Sequence, residues 1–468
     1  MAKNTNHLNL IIFFIIFIVG AYLRVYQINF DDYWFDEYAG FWVADPKLSF
    51  NETLKRSYNL DYGTSLLFNI LFKYFLKIFH YDPQIGRFFP LIFGILSIPL
   101  LSYLSYQFDK SKSYLFTAFL VSINWYLISY SQETRAYSLS FFLSILSIIF
   151  FLKIIDQSIL KQNKSIYGIF YIFFTFLGVA NHIFFFILIL AQILFLLIKH
   201  YKDKKNIIFP ICNIFIVFIL YFIIMGHSLK LHLSIQDFWV SQVGLDFFTD
   251  YYFSRFFGSK IMGIIYLLTL FFLIFKFKSK FFINSSKYLF LLIFLLLSYI
   301  LPILYGLVIE PVLTDRYIIF VLIPVILFIS IFTINLKNKK IKNFILILII
   351  ASTISNNYLE IFKREHTKPE FNKIFKDISQ TNFNYIYLKT PDEINRKLLS
   401  NYIKLLKSFD NKRFIILNPN ELVNQNNVWQ ICYKAINYFD CSPDKKFKTF
   451  SIKKKINYYL IEATLYSL

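Results

Sequence analysis

The segment Ser65-Leu-Leu-Phe-Asn-Ile-Leu-Phe-Lys-Tyr-Phe-Leu-Lys-Ile-Phe79 decides how the chain is threaded. It is apolar enough to pass for a membrane span. Its polar residues, however, are Ser65, Asn69, Lys73 and Lys77, a strict i, i+4 series that forms one stripe of a helix. A helix with a single Lys-bearing stripe suits the plane of the membrane interface. The alternative is a short tilted span, and counting it as one inverts every later loop. Short Lys-bearing connections lie at 109–113, 153–164, 199–205, 276–287 and 337–342. With the N-terminus cytoplasmic and 65–79 lying in the interface, all of them fall on the cytoplasmic side, which is the positive-inside distribution. The segment is therefore read as a juxtamembrane helix on the outer face.

Composition leads to the same class. The chain has 468 residues, of which 57% are hydrophobic. A water-soluble protein must cover much of its surface with polar groups, so a bilayer is the natural solvent for this one. Apolar runs of spanning length predict about eleven spans, at 8–26, 84–107, 114–130, 136–155, 166–181, 183–199, 207–226, 261–277, 288–309, 317–336 and 343–356. The first follows MAKNTNH, with one Lys and no small-residue cleavage site behind it, and reads as a retained span, not a signal peptide. The net charge of +21 comes from 49 Lys and Arg against 28 Asp and Glu. Because the Lys residues cluster between apolar runs, topology accounts for them, and nucleic acid is not an expected partner. Phe, Ile, Lys, Asn and Tyr all use AT-rich codons, so an aromatic content of 21% says little about a binding site. The cysteines, at 212, 432 and 441, form no metal motif.

The outer side then holds the chemically capable groups: the first loop 27–83, the turn 131–135, His182, the loop 227–260, the turn 310–316 and the tail. The tail changes character. Residues 384–388, 413–417 and 457–461 read as short strands, and 392–406 as a helix with Ile394, Leu398, Tyr402 and Leu405 at helical spacing. The expected fold is thus an α-helical polytopic membrane protein over 1–358 with a small extracytoplasmic α/β domain over 359–468. Cys432 and Cys441 fall in that domain, where they are either a disulfide or two thiols.

Within the first loop, Phe30-Asp-Asp-Tyr-Trp-Phe-Asp-Glu-Tyr-Ala39 carries four carboxylates in seven positions: Asp31, Asp32, Asp36 and Glu37. Just past a span these must be solvated, paired or metal-bound. Asp36 and Glu37 are adjacent and point in different directions on a helix, so one can act as a base while the other orients an acceptor or a metal. The plainer reading is a solvated acidic loop. Ser131-Gln132-Glu133-Thr134-Arg135 sits between two spans with almost no loop. Glu133 and Arg135 either pair across the turn or line a pocket for a polar headgroup. Arg316 heads a span, and its guanidinium either binds phosphate in a fork or snorkels to the interface. His182, after Asn181 between two spans, either touches a substrate headgroup or serves as a structural hydrogen-bonding group.

In order along the chain come the acidic pair after the first span, Asp61-Tyr62-Gly63, Gly86-Arg-Phe-Phe-Pro90, Tyr130-Ser-Gln-Glu-Thr-Arg-Ala-Tyr137, Asn181-His-Ile-Phe184 and Asp315-Arg-Tyr317. Over about 1–340 this resembles the C superfamily of glycosyltransferases (GT-C), and most closely the bacterial relatives of the dolichyl-phosphate-mannose protein mannosyltransferases and aminoarabinose lipid A transferases. The stretch 130–137 is the most specific element, since such proteins commonly carry YSQEARPY there. This chain departs by Thr134 and Ala136, and by Tyr62-Gly63-Thr64 where a Pro-Pro pair is common. The resemblance implies a GT-C fold and a transfer, at the outer face of the plasma membrane, from a polyprenyl-phosphate-linked sugar to a lipid, glycan or protein hydroxyl; attack of that hydroxyl in a single step inverts the anomeric configuration. It implies Asp36 as base and Glu37 as its partner. It places Arg135 and Arg316 near the donor phosphate, with Glu133, Tyr137, His182 and Tyr317 around the substrate.

Asp36, Glu37 and Glu133 are the residues to hold a divalent metal if one takes part, although no spacing demands it. The competing function is a transporter or flippase of lipid-linked sugars. Such a protein should carry polar or broken helices at mid-membrane, whereas here the carboxylates gather at one mouth.

Overall fold

A computed structural model describes residues 2–156, 158–200, 204–234, 240, 244, 253–279, 286–434, 441–443, 447 and 450–468. Parts of the expected outer loop 227–260 and of the basic connections 153–164, 199–205 and 276–287 lie outside the described residues. The chain divides into two compact units. The first comprises Met1–Tyr26, Leu54–Phe68 and Pro90–Arg364, and the second Gln27–Thr53, Asn69–Phe89 and Glu365–Leu468.

The first unit is a helical bundle. In hydrocarbon every backbone N–H and C=O must be satisfied within its own segment, so apolar runs of this length become helices. Among the described residues eight helices are long and apolar enough to cross a membrane: His7–Val25, Pro83–Phe108, Tyr137–Ile155, Gln162–Asn181, Ile207–His232, Lys287–Val308, Asp315–Ile334 and Lys339–Phe362. These correspond to eight of the expected spans. The expected spans at 183–199 and 261–277 are helical at Ile183–Lys199 and Lys260–Lys276, each shorter than those eight helices. The expected span 114–130 is broken at Asn124 into Ser113–Ile123 and Trp125–Ser131. The Asn124 side chain causes the break. It accepts from Leu127 N–H at 2.9 Å, which starts a new helix, and donates to the Phe256 carbonyl at 2.9 Å.

Tyr137–Ile155 and Asp315–Ile334 are buried along most of their length, while His7–Val25 is mostly exposed and so offers a lipid-facing surface. The buried helices are joined by hydroxyls that find partners inside the bundle. Thr117 and Ser330 lie 2.6 Å apart, Ser147 and Thr175 2.8 Å, and the Tyr171 hydroxyl donates to Gln192 Oε1 at 2.6 Å. Small residues set the spacing. A Cβ on Gly20 would meet the Ser122 hydroxyl at 2.5 Å, so only glycine lets the first helix approach Ser113–Ile123 this closely.

The juxtamembrane segment is a helix, Leu66–Phe79. Its polar stripe does not face outward along its length as the interfacial reading supposed: Lys77 is exposed, but Ser65 is buried. Asn69 and Lys73 are buried, and Lys73 Nζ donates to the Thr53 hydroxyl at 2.8 Å and the Ser49 carbonyl at 3.1 Å. Beside Lys77, the exposed face is apolar, with Leu71, Tyr74, Ile78 and Phe79. The stripe satisfies the backbone of the first loop and leaves the greasy face for lipid.

The second unit is built on a five-stranded sheet in the order β2-β1-β3-β5-β4, with β1 Tyr385–Lys389, β2 Ile415–Leu417, β3 Asn427–Tyr433, β4 Ser451–Tyr458 and β5 Ile461–Ser467. β1 runs parallel to β2 and β3, and β5 runs antiparallel to β3 and β4. The helix Glu393–Ile403 joins β1 to β2 and is capped by Asp392, which accepts from Asn395 N–H at 2.7 Å. It buries Leu398, Leu399 and Tyr402, and the helix Phe371–Ser379 buries Phe371, Ile374, Phe375 and Ile378. The expected strand at 457–461 straddles the turn between β4 and β5, where Leu460 has φ +53°.

Cys432 and Cys441 are joined as a disulfide, and Cys212 is an exposed free thiol. Alkylation of unreduced protein should therefore label Cys432 and Cys441 only after a reductant is added. Prompt labelling of both without reductant would rule the bond out.

Candidate functional site

The expected site residues fall into two groups, one in each unit. In the helical unit, the helix Tyr137–Ile155 begins, Lys161–Asn181 ends and the segment Asp315–Val321 begins at one end of the bundle. The turn 131–136 is pinned there by amides. Gln132 Nε2 donates to the carbonyls of Arg24 at 3.0 Å and Tyr26 at 2.9 Å, while its Oε1 accepts from Arg364 Nη1 at 3.0 Å. Asn181 Nδ2 donates to the Ala136 carbonyl at 3.0 Å and to the Ser140 hydroxyl at 2.7 Å. Glu133 is buried within this turn, and its carbonyl accepts from Arg135 N–H at 2.7 Å.

The result is a cluster of rings and guanidiniums. The guanidinium carbons of Arg135 and Arg316 lie 6.0 and 5.9 Å from the Tyr137 ring centroid, and that of Arg316 lies 5.8 Å from the Tyr317 ring. Guanidiniums over aromatic faces are held by the ring quadrupole, and their planar forks suit an anion. His182 packs against Tyr317 at 4.9 Å between centroids. Burial, then His232, Arg135 and Arg316, push its imidazole down to about 3, so it is neutral at physiological pH. Its Nδ1 accepts from Phe184 N–H at 3.3 Å, which leaves the proton on Nε2 as a neutral donor. Arg135, Tyr137, His182, Arg316 and Tyr317 are thus brought together. Asp315, the residue before Arg316, lies 3.6 Å from Arg255 Nη1.

Sequence reasoning missed Asp61 as a member of this group. It is held in a turn by the Ser57 hydroxyl at 3.2 Å and Gly63 N–H at 3.1 Å. Burial raises its carboxyl from the usual range, and the Arg135 guanidinium opposes that rise most strongly. Gly63 has φ +73°, and a Cβ there would meet the Ser228 hydroxyl at 2.0 Å, so the position requires glycine. A carboxylate before a left-handed Gly was the available signal.

In the second unit, Trp34 is extended and the helix Phe35–Val43 follows it, so Asp36 and Glu37 occupy its first turn, where carboxylates favour the helix dipole. Asp36 is half-buried, and Tyr38 and Tyr433 lie within its field. Glu37 is fully buried. Its Oε2 takes Lys368 Nζ at 2.7 Å, Arg87 Nη2 at 3.5 Å and Trp34 N–H at 3.5 Å. Asp31 takes His366 Nδ1 at 3.1 Å and the Thr367 hydroxyl at 3.2 Å. Asp32 takes Asn372 N–H at 2.7 Å, and burial raises its carboxyl while Asn372 opposes the rise. Arg87 Nη1 also binds the carbonyl of Ile28 at 3.0 Å and that of Asp31 at 2.5 Å, which ties down the loop backbone. The acidic loop is therefore a fastened element, not a solvated one. Among the described residues no three of His, Cys, Asp and Glu are gathered as a metal site.

No protein-family model matches the chain, and no curated protein matches it in sequence. Solved structures match in fold. ArnT from Cupriavidus metallidurans bound to undecaprenyl phosphate aligns with TM-score 0.58 at 10% identity, over 99% of this chain and 98% of that one. Its apo form aligns with TM-score 0.57 at 9% identity. The archaeal oligosaccharyltransferase AglB from Archaeoglobus fulgidus, in complex with an inhibitory peptide and a dolichol-phosphate, aligns with TM-score 0.55 at 12% identity over 89% of this chain. The match spans 62% of AglB's own length. The fold is that of the GT-C membrane glycosyltransferases, as the motifs implied.

Proposed function

We propose that the protein transfers a sugar from a polyprenyl-phosphate-linked donor to an acceptor hydroxyl of a lipid, glycan or protein at the outer face of the plasma membrane. The observation that carries this reading is the convergence of the Arg135 and Arg316 guanidiniums on Tyr137, in a fold whose solved examples include one bound to undecaprenyl phosphate. In the proposed reaction the acceptor oxygen attacks the anomeric carbon as its proton passes to Asp36. The bond from that carbon to the phosphate oxygen breaks, and the electron pair leaves with the phosphate. Charge then builds on the phosphate oxygens, where fixed guanidiniums stabilise it most. One such step inverts the anomeric centre. Glu37 is assigned as partner to Asp36, and the neutral His182 with Tyr137, Tyr317 and Glu133 to the substrate. Residues 1–358 are assigned to the transferase domain and 359–468 to an extracytoplasmic domain.

The test is release of sugar from polyprenyl-phosphate sugars by membranes containing the protein, with and without a chelator. Release that needs the protein supports transfer, and loss with the chelator would bring in a metal at Asp36, Glu37 or Glu133. Transport of the intact donor is the second reading, favoured by the break at Asn124 because discontinuous helices mark many transporters. Movement of uncleaved donor across the bilayer would establish it.

The orientation has its own test. Lys77 and Lys339 are both exposed. In a Cys212→Ser background, a Cys replacing Lys77 should react with an impermeant thiol reagent in intact cells, and a Cys replacing Lys339 only after permeabilisation. Labelling of both from the same side would remove the basis for an outer-face site.

A further inference from the structure

We infer that a hollow lined by Phe35, Tyr38 and Tyr433 in the second unit binds the sugar ring of a saccharide, so that the acceptor is a glycan; naming the occupant as acceptor rests on the proposed transfer. The hollow lies where the helix Phe35–Val43 begins, β1 ends and the helix Glu393–Ile403 begins, and its wall includes Lys389, Thr390 and Asn395. Phe35 immediately precedes Asp36, so a ring in the hollow stands beside the carboxylate assigned as the base. The Tyr433 side chain is only 5% exposed, and among the described residues its hydroxyl makes no hydrogen bond, since the nearby backbone of Phe35 does not meet the geometry of one. A buried phenol ordinarily finds a partner. This one is held in place, at the end of β3 next to the disulfide at Cys432, with its ring 5.9 Å from that of Phe371. A ligand hydroxyl in the hollow supplies the missing partner.

The rest of the wall fits the same class of ligand. Tyr38 is stacked on Tyr402 at 5.7 Å between centroids and stands edge-on to Phe35 at 5.5 Å. Asn395 Nδ2 donates to Asp392 Oδ2 at 2.7 Å, which leaves Asn395 Oδ1 as an acceptor, and the Thr390 hydroxyl is fixed by the Asp392 carbonyl at 2.9 Å. Aromatic rings flanked by a few convergent hydroxyl and amide groups suit a ring with an apolar C–H face and a rim of hydroxyls. A peptide bound as an added strand would need an open sheet edge. β3 has none at this point, because Cys432 is paired with Lys389 and Tyr433 with Ile461. An acyl chain would need a continuous apolar surface, whereas of the six side chains named all but Phe35 end in a polar atom.

The experiment uses full-length protein in lipid nanodiscs, without glycoside detergents, and a panel of methyl glycosides as probes. Wild-type, Tyr433→Phe and Phe35→Leu proteins are each checked for a normal melting transition, and glycoside affinity is measured by NMR titration with saturation transfer to the sugar ring protons. At least one glycoside should bind saturably to wild type. Tyr433→Phe should weaken it roughly threefold to tenfold, the size of one neutral hydrogen bond, and should melt as wild type does because the lost hydroxyl has no protein partner. Phe35→Leu should remove most of the saturation transfer to the ring protons. Absence of any saturable glycoside, or equal affinity in Tyr433→Phe, overturns the inference, and the phenol then serves only a bound water. Failure of the transfer reading looks different: Tyr433-dependent glycoside binding with no release of polyprenyl phosphate keeps the saccharide site and removes its role as acceptor site. Release of polyprenyl phosphate with an acceptor KM unaltered by Tyr433→Phe overturns the inference and leaves transfer standing.

Discussion

Replacing Asp36 by Asn should abolish transfer while leaving donor binding largely intact. The substitution keeps the shape of the side chain and removes only its basicity. Asp36 lies in the first turn of the helix Phe35–Val43, so losing its charge there costs about 0.3–1 kcal/mol of helix-dipole stabilisation. That is too little to unfold a loop fastened by Arg87, Lys368 and Asn372. General-base losses run to about 10²–10⁴-fold in rate, so the chemical effect dominates the structural one. Turnover measured beside equilibrium binding of the donor separates the two. Near-normal turnover in folded Asp36→Asn protein would exclude Asp36 as the base, and Glu37 or Glu133 would become the candidate.

Arg316→Ala should weaken donor binding and turnover together. The Arg316 guanidinium stands about as far from the Tyr137 ring as from that of Tyr317, at 5.9 and 5.8 Å, so its fork is pre-set before any ligand arrives. A charge-assisted hydrogen bond is worth about 1.5–3 kcal/mol, which corresponds to roughly a tenfold to hundredfold loss of affinity. A further loss of rate follows if the contact strengthens as the phosphate leaves. Arg316→Lys keeps the charge but not the fork, and should fall between wild type and Ala. Unchanged donor affinity in Arg316→Ala would mean that the guanidinium only supports the packing of Tyr137 and Tyr317.

What could be read from the residues followed the physics that each reading used. The spans were legible because hydrocarbon imposes both length and composition, and the helix Leu66–Phe79 because a polar stripe repeats every fourth residue. Which face of that helix meets lipid was not legible, since periodicity separates two faces without saying what covers each. Lys73 turned out to serve the loop backbone at Ser49 and Thr53. In the tail, β1 and the helix after it stood out by alternation and helical spacing. β3 and β5 did not, because Asn427–Tyr433 and Ile461–Ser467 are buried along nearly their whole length and lack a two-residue period. Arg135, His182 and Arg316 were named from local pattern, Tyr137 and Tyr317 from the resemblance, and the five do gather. The fastening of Glu37 by Lys368 joins residues 331 positions apart, and no local signal carries it. The Asn124 break had a visible sign in an Asn placed before an apolar turn, where it can cap a new helix.

The claim at the centre of this account is cleavage of a polyprenyl-phosphate sugar at its anomeric carbon. The most direct measurement uses purified protein in liposomes with a radiolabelled donor of defined anomeric configuration and a mixture of candidate acceptors. It follows the donor, the free polyprenyl phosphate and the configuration of the transferred sugar. The account predicts release of polyprenyl phosphate in step with an acceptor-linked sugar of inverted configuration, and none of it with Asp36→Asn. Donor that crosses the bilayer intact, or a product of retained configuration, would contradict it.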